Sequence, residues 1–138
     1  MSNIEKDELD EIKERRRKEL MEELNGDTDE TESVNTPVRI DGPEHFNDTI
    51  DKYDVVLVDF YADWCGPCKM MEPVMEEIAR ESDAVVAKVN VDNQPALAQE
   101  FGVRSIPTMV VFSKGEQVER MMGAQDKGRL TSVVEQYA

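Results

Sequence analysis

The spacing of apolar residues changes character near residue 37. Before it, Leu9, Ile12, Leu20 and Leu24 recur at helical spacing in a charged segment, with Arg16 in the middle of the stripe. Ser2-Asn3-Ile4-Glu5 reads as a capping box, so a helix is expected from there to about Leu24, with Asn25-Gly26 as its stop. Glu11 with Arg15 and Glu14 with Lys18 are favourable i,i+4 pairs. The stripe is too thin for a coiled coil on its own. A solvated or loosely docked helix is expected, followed by a polar, acidic linker over residues 27–36.

From residue 37 the pattern is that of a packed domain. Val38 to Ile40 is a short strand candidate. Asp41-Gly42-Pro43 opens a helix whose inner face is Phe46 and Ile50. Val55-Val56-Leu57-Val58-Asp59-Phe60 is a β-branched apolar run, as expected of a strand buried on both faces. A helix of roughly Gly66–Glu81 follows, with Met70, Val74, Ile78, Met71 and Met75 as a wide apolar face and an expected kink at Pro73. Ala84–Val91 is a second buried strand, and Pro95–Phe101 a short helix stopped by Gly102. Thr108–Phe112 and Gln117–Met122 flank Ser113-Lys114-Gly115-Glu116, a hairpin signal. Asp126 caps a last helix carrying Leu130, Val133, Val134 and Tyr137. The alternation of strands and helices predicts an α/β domain with a parallel sheet, extended by the antiparallel hairpin. No internal repeat is present.

Charge narrows the function classes. The chain carries 31 acidic and 16 basic residues, a net charge of −15. The excess is not confined to the N-terminal segment. Residues 1–36 hold 13 acids and 6 bases, net −7, and residues 37–138 hold 18 and 10, net −8. Such a field repels phosphate backbones and anionic lipids, so neither nucleic acid nor membrane is an expected partner. A compact domain with this excess repels itself unless salt screens it, which points to a salt-adapted protein. No apolar run approaches a membrane span, and the charged N-terminus lacks a secretory h-region, so a cytoplasmic protein is expected.

Two cysteines, Cys65 and Cys68, carry the candidate chemistry. Two thiols cannot complete a four-ligand zinc site within one chain, and they exclude a disulfide-rich framework. A local redox pair, a metal centre shared between chains, or two incidental thiols remain. The strand-to-helix setting favours the first. Cys65 would lie at or just before a helix N-terminus, where free N–H groups and the helix dipole stabilise a thiolate. Cys68 would lie one turn in, close enough to form a disulfide without backbone movement. Gly66 permits close approach of a partner chain, Pro67 restricts the loop, and Trp64 offers a flat apolar surface beside an exposed thiol.

The segment Val58-Asp59-Phe60-Tyr61-Ala62-Asp63-Trp64-Cys65-Gly66-Pro67-Cys68-Lys69-Met70 resembles the active-site segment of the thioredoxin family. Ala87–Asp92, Val103–Thr108 and Gly123-Ala124 resemble further parts of that family, so the likeness covers about residues 37–138. Residues 1–36 lie outside it as an appendage. The resemblance implies a central mixed sheet of four or five strands flanked by helices, and reduction of protein disulfides without metal or organic cofactor. Disulfide-containing proteins would be the substrates of a monomer, and a thioredoxin reductase its electron donor. It implies that Cys65 attacks, Cys68 resolves, and Asp59 is a buried carboxylate beneath Cys68 that accepts and donates a proton. A charged residue inside an apolar strand is itself unusual, and burial should raise its pKa. Lys88 would lie near that carboxylate. Ile106-Pro107 would be a cis peptide beside the cysteines, with the Ile106 backbone and Gly123 flanking a bound substrate strand.

Two departures from the family pattern stand out. Tyr61 occupies a position where tryptophan is frequent, and Ser105 one where glycine is common. His45 is distant from the motif and is expected to be structural or exposed. The rivals are an oxidase or isomerase on the same fold, a non-catalytic binding module worked by the extension, and a dimer sharing a metal centre. Self-repulsion at net −15 gives a direct test of the salt reading. The thermal midpoint should rise from dilute buffer to about 2 M KCl, where the screening length is only ~2 Å. A flat or falling midpoint would remove salt adaptation from the account.

Overall fold

The computed structural model describes residues 34–138. The helix expected over Ser2 to Leu24 and the linker as far as Ser33 lie outside the described residues. The elements run β1 (Val38–Arg39), α1 (Pro43–Lys52), β2 (Val55–Tyr61), α2 (Gly66–Glu81), β3 (Val85–Asn90), α3 (Pro95–Glu100), β4 (Thr108–Ser113), β5 (Glu116–Met122) and α4 (Lys127–Tyr137). They form one mixed sheet in the order β1-β3-β2-β4-β5. β1 and β2 pair parallel with β3, while β4 pairs antiparallel with β2 and with β5.

β2 lies at the centre and all seven of its residues are buried. A strand with no polar face must be covered on both sides, and the two covers follow the strand's period of two. Leu57, Val86, Met109 and Val111 meet Met71, Met75 and Ile78 of α2 and Leu130 and Val134 of α4. Val56, Val58, Phe60, Val85, Ala87, Val89, Val110 and Phe112 meet Phe46 and Ile50 of α1 and Leu97 of α3. Phe101, just after α3, stacks near Phe46, Phe60 and Phe112 with ring centroids 5.3–6.0 Å apart. Val34 also packs against this second cluster, ahead of the boundary placed at residues 36 and 37.

Local signals account for the element ends. The β4–β5 turn centres on Lys114 and Gly115, both at positive φ (53° and 85°), the twist that suits a two-residue hairpin loop. Asp126 Oδ1 accepts from the Arg129 N–H at 2.8 Å and starts α4. His45 Nδ1 accepts from the Asp41 N–H at 2.9 Å, so His45 secures the start of α1 and is structural, as expected. α2 continues as one helix through Pro73. One expected core residue faces the other way: Met70 is 75 % exposed. Met71, Met75, Ile78 and Ala79 already fill the arc that the sheet can cover, and Met70 falls outside it. Among the described residues, no helix is long and apolar enough to cross a membrane.

The facing of α2 and α4 is testable. Leu130→Ala, at a fully buried position between α4 and the sheet, should cost about 2–5 kcal/mol in urea denaturation. Met70→Ala should stay within about 0.5 kcal/mol. Similar costs at both positions would contradict this packing.

Candidate active site

β2 ends at Tyr61, and the chain turns through Ala62–Trp64 into α2. Cys65 is the N-cap of that helix, in extended conformation, and Cys68 is its third residue. The geometry brings the two sulfurs into a disulfide across a Cα–Cα distance of 5.2 Å. The Cys68 N–H points at Cys65 Sγ at 3.2 Å. When the disulfide opens, that donor and the α2 dipole stabilise negative charge on Cys65 rather than on Cys68. Pro67 occupies the first turn, where its missing N–H costs no helical hydrogen bond. A Cβ built on Gly66 meets nothing within 4 Å, so the space beside Cys65 is open.

The expectation of an exposed Cys65 needs correction. Cys65 is only 4 % exposed, close to Cys68. Both sulfur residues pack with Tyr61 and Ala62, and with the half-buried Val91 and Ile106. Ile106, brought in from 41 residues away, places its carbonyl oxygen 3.8 Å from Cys65 Sγ. Trp64 does stand out from the surface, 70 % exposed, with its indole N–H donating to Asp92 Oδ2 at 2.9 Å. Met70 and Met122 are the other large apolar residues exposed among those described.

The Ile106–Pro107 peptide is cis, as the resemblance implies. Thr108 Oγ1 donates to the Ser105 carbonyl at 2.7 Å and braces this loop. Gly123, at φ 85°, sends its N–H to the Pro107 carbonyl at 2.8 Å. A residue with a side chain is strained at that φ, so glycine is required for the contact. Among the described residues the Ile106 N–H donates to no backbone acceptor.

Asp59 lies on the α2 side of β2, between Leu57 and Tyr61 in the period-two alternation. It is wholly buried, and neither carboxylate oxygen has a hydrogen-bond partner. Burial pushes its pKa from the ordinary 3.8 to about 6, against the opposing pull of the Lys88 charge and with a further push from Glu72. Lys88 is the register partner of Asp59 on β3. Its ammonium does not donate to that carboxylate. It lies 4.2 Å over the Tyr61 ring and 3.9 Å from Glu72 Oε2. Arg39 in turn donates to the Tyr61 hydroxyl at 3.1 Å. Glu72 is the residue that sequence reasoning passed over. Its signal was its place four residues after Cys68, on the same side of α2.

The direction of the Asp59 shift fixes a pH dependence. The folded chain binds this proton more tightly than the unfolded chain. The associated stability is therefore complete below about 3.8 and is lost as pH rises through about 6. The loss is on the order of 3 kcal/mol for a shift of that size. In urea titrations of the oxidised protein, the stability of Asp59→Asn relative to the parent should grow by about that amount between pH 4 and pH 7.5. A difference that stays constant with pH would mean that Asp59 is not shifted.

Comparison with known proteins agrees with this geometry. The family model described as Thioredoxin matches residues 37–136. The thioredoxin of Chlamydia caviae is 43 % identical over 102 residues, covering 73 % of this chain and 99 % of that protein. A bifunctional thioredoxin reductase/thioredoxin of Mycobacterium leprae is 44 % identical over 103 residues, which are 73 % of this chain but 22 % of that protein. Among solved structures, a single-site mutant of the thioredoxin from Halobacterium salinarum NRC-1 superposes with a TM-score of 0.76 at 49 % identity, covering 78 % of this chain and 96 % of that one. With the paired cysteines at the head of α2 on a five-stranded mixed sheet, this chain belongs to the thioredoxin family of protein-disulfide oxidoreductases.

Proposed function

We propose that the chain works in the reducing direction, with Cys65 as attacking thiolate, Cys68 as resolving thiol and Asp59 as the group that takes the Cys68 proton. The observation that carries this reading is the asymmetry of the pair. Cys65 caps α2 and receives the Cys68 N–H. Cys68 is set inside the helix and buried, on the α2 face that packs toward the sheet carrying the unpartnered Asp59 carboxyl. The Cys65 thiolate attacks one sulfur of a substrate disulfide, and the other substrate sulfur leaves as a thiolate. Cys68 then passes its proton to Asp59 and attacks Cys65 Sγ. The Cys65–substrate bond breaks, the Cys65–Cys68 bond forms, and the reduced substrate departs. No metal or organic cofactor takes part.

Trp64, Gly66, Pro67, Ile106, Pro107 and Gly123 form the substrate-binding rim in this reading. The open space at Gly66 and the unengaged Ile106 N–H suit an extended substrate segment. Lys88 acts on Asp59 electrostatically rather than by direct hydrogen bonding. A reductase must return two electrons per cycle, and the Mycobacterium leprae relative carries both activities in one name, which supports a thioredoxin reductase as donor. We place the protein in the cytoplasm, acting as a monomer in cellular redox homeostasis. Its charge of −15 argues against nucleic acid and anionic membranes as partners and for a high-salt interior. Residues 37–138 are the catalytic domain in this reading, and residues 1–36 are an appendage outside the chemistry.

Trapping tests these assignments together. Cys68→Ser should accumulate mixed disulfides through Cys65 on non-reducing gels, and Cys65→Ser should accumulate none. A Cys68→Ser chain beginning at Val34 should trap a generic disulfide substrate as well as the full-length variant. Equal trapping by both cysteine variants would reverse or abolish the roles. Loss of trapping in the shortened chain would make the N-terminal segment part of the catalytic domain.

A further inference from the structure

Asp59 lacks the partner that the sheet provides for it. Lys88 lies opposite it in register on β3, and both residues fall on the α2 side of the sheet. A lysine beside a buried carboxyl would ordinarily turn its ammonium onto it, since an unpaired charge in an apolar site is costly. Here both Asp59 oxygens are without a hydrogen bond. The ammonium is instead held by two other groups: the Tyr61 ring at 4.2 Å, and Glu72 Oε2 at 3.9 Å. The ring is fixed in turn by the Arg39 guanidinium on its hydroxyl. Glu72 is half exposed, and its carboxylate draws the lysine toward solvent.

We propose that Glu72 is a positioning residue for the redox site: its carboxylate holds the Lys88 ammonium away from Asp59 and so keeps the buried carboxyl unpaired. The consequence for catalysis rests on Asp59 being the acceptor of the Cys68 proton. An Asp59 paired with Lys88 would be a weaker base and would take that proton less readily as Cys68 attacks the mixed disulfide. Among the described residues, Glu72 is the acidic side chain that pairs with the Lys88 ammonium. Around Asp59, β3 contributes Lys88, and the next strand in the same row contributes Arg39, which is engaged by Tyr61. β4 contributes Met109, β5 Met121, and α4 Leu130, all uncharged. From α2, Glu72 reaches the Lys88 ammonium. Glu72 also pushes the Asp59 proton affinity up directly through its own charge, and the Lys88→Met background below separates that direct push from its hold on Lys88.

The test reads Asp59 directly. The carboxyl carbon of Asp59 is followed by NMR against pH in the oxidised full-length protein, in the parent, Glu72→Gln, Lys88→Met and the double variant. Glu72→Gln should lower the Asp59 midpoint by roughly half a unit to one unit, as Lys88 turns inward. In the Lys88→Met background the same substitution should move it much less. Glu72→Asp should fall between parent and Gln. An unchanged midpoint in Glu72→Gln would overturn the proposal. A shift of equal or greater size without Lys88 would also overturn it, because Glu72 would then act on Asp59 directly. The rate of mixed-disulfide resolution at pH 7 should fall severalfold in Glu72→Gln, with KM for the disulfide substrate unchanged. A shifted midpoint with an unchanged rate would support the positioning role while counting against Asp59 as proton acceptor, so the two readings fail separately.

Discussion

A carboxyl group without a hydrogen-bond partner, set in the middle of a strand buried on both faces, governs how the rest of this domain is arranged. Desolvating such a group costs free energy that apolar packing must offset. The offset is visible around it. Leu57, Met109, Val111, Met71, Met75 and Leu130 close over the same face of the sheet, and the opposite face is sealed by α1, α3 and a group of four phenylalanines. The dry surroundings that make Asp59 expensive also raise its proton affinity into the range where proton transfer near neutrality works. Stability and chemistry are therefore linked at one residue. The packing that holds the sheet together sets the basicity on which the proposed mechanism draws.

The cysteine pair draws on the same architecture from its other side. β2 delivers the chain to the head of α2, and the helix supplies the N–H that points at Cys65 Sγ. Two segments far along the chain complete the site. Ile106 brings its carbonyl to the sulfur, and Gly123 ties the Pro107 loop to the end of β5. Both cysteines are buried, Trp64 stands exposed and the space at Gly66 is open, and in the proposed function a substrate disulfide approaches from that side.

Much of this was legible in the sequence because it is local. The apolar run of β2, the span Gly66–Glu81, the Lys114-Gly115 turn and the Asp126 cap each rest on residues adjacent in the chain. The motif around Cys65 and Cys68 is equally local, and the family likeness placed Asp59, Ile106 and Pro107 around it. What escaped depends on residues that meet only after folding. Met70 belongs to an apolar face wider than the sheet can cover, and periodicity alone does not say which edge is left out. Cys65 reads as exposed at a helix start until Ile106 covers it. Lys88 can be placed opposite Asp59 only through the β2–β3 register, and nothing near it in sequence reveals that its ammonium turns to Glu72. The strand order β1-β3-β2-β4-β5 is likewise a product of the crossovers rather than of any one segment.

In the proposed mechanism the buried Asp59 carboxyl takes the proton of Cys68 as the mixed disulfide resolves. The most direct measurement is a single-turnover one. A mixed disulfide is formed between Cys65 and a chromogenic thiol, and release of that thiol is followed by stopped flow from pH 5 to pH 9. In the parent protein the rate should climb through a midpoint near the Asp59 value of about 6, and in Asp59→Asn that step should disappear and the plateau fall. Matching profiles for the two proteins, in midpoint and in plateau, would contradict the account.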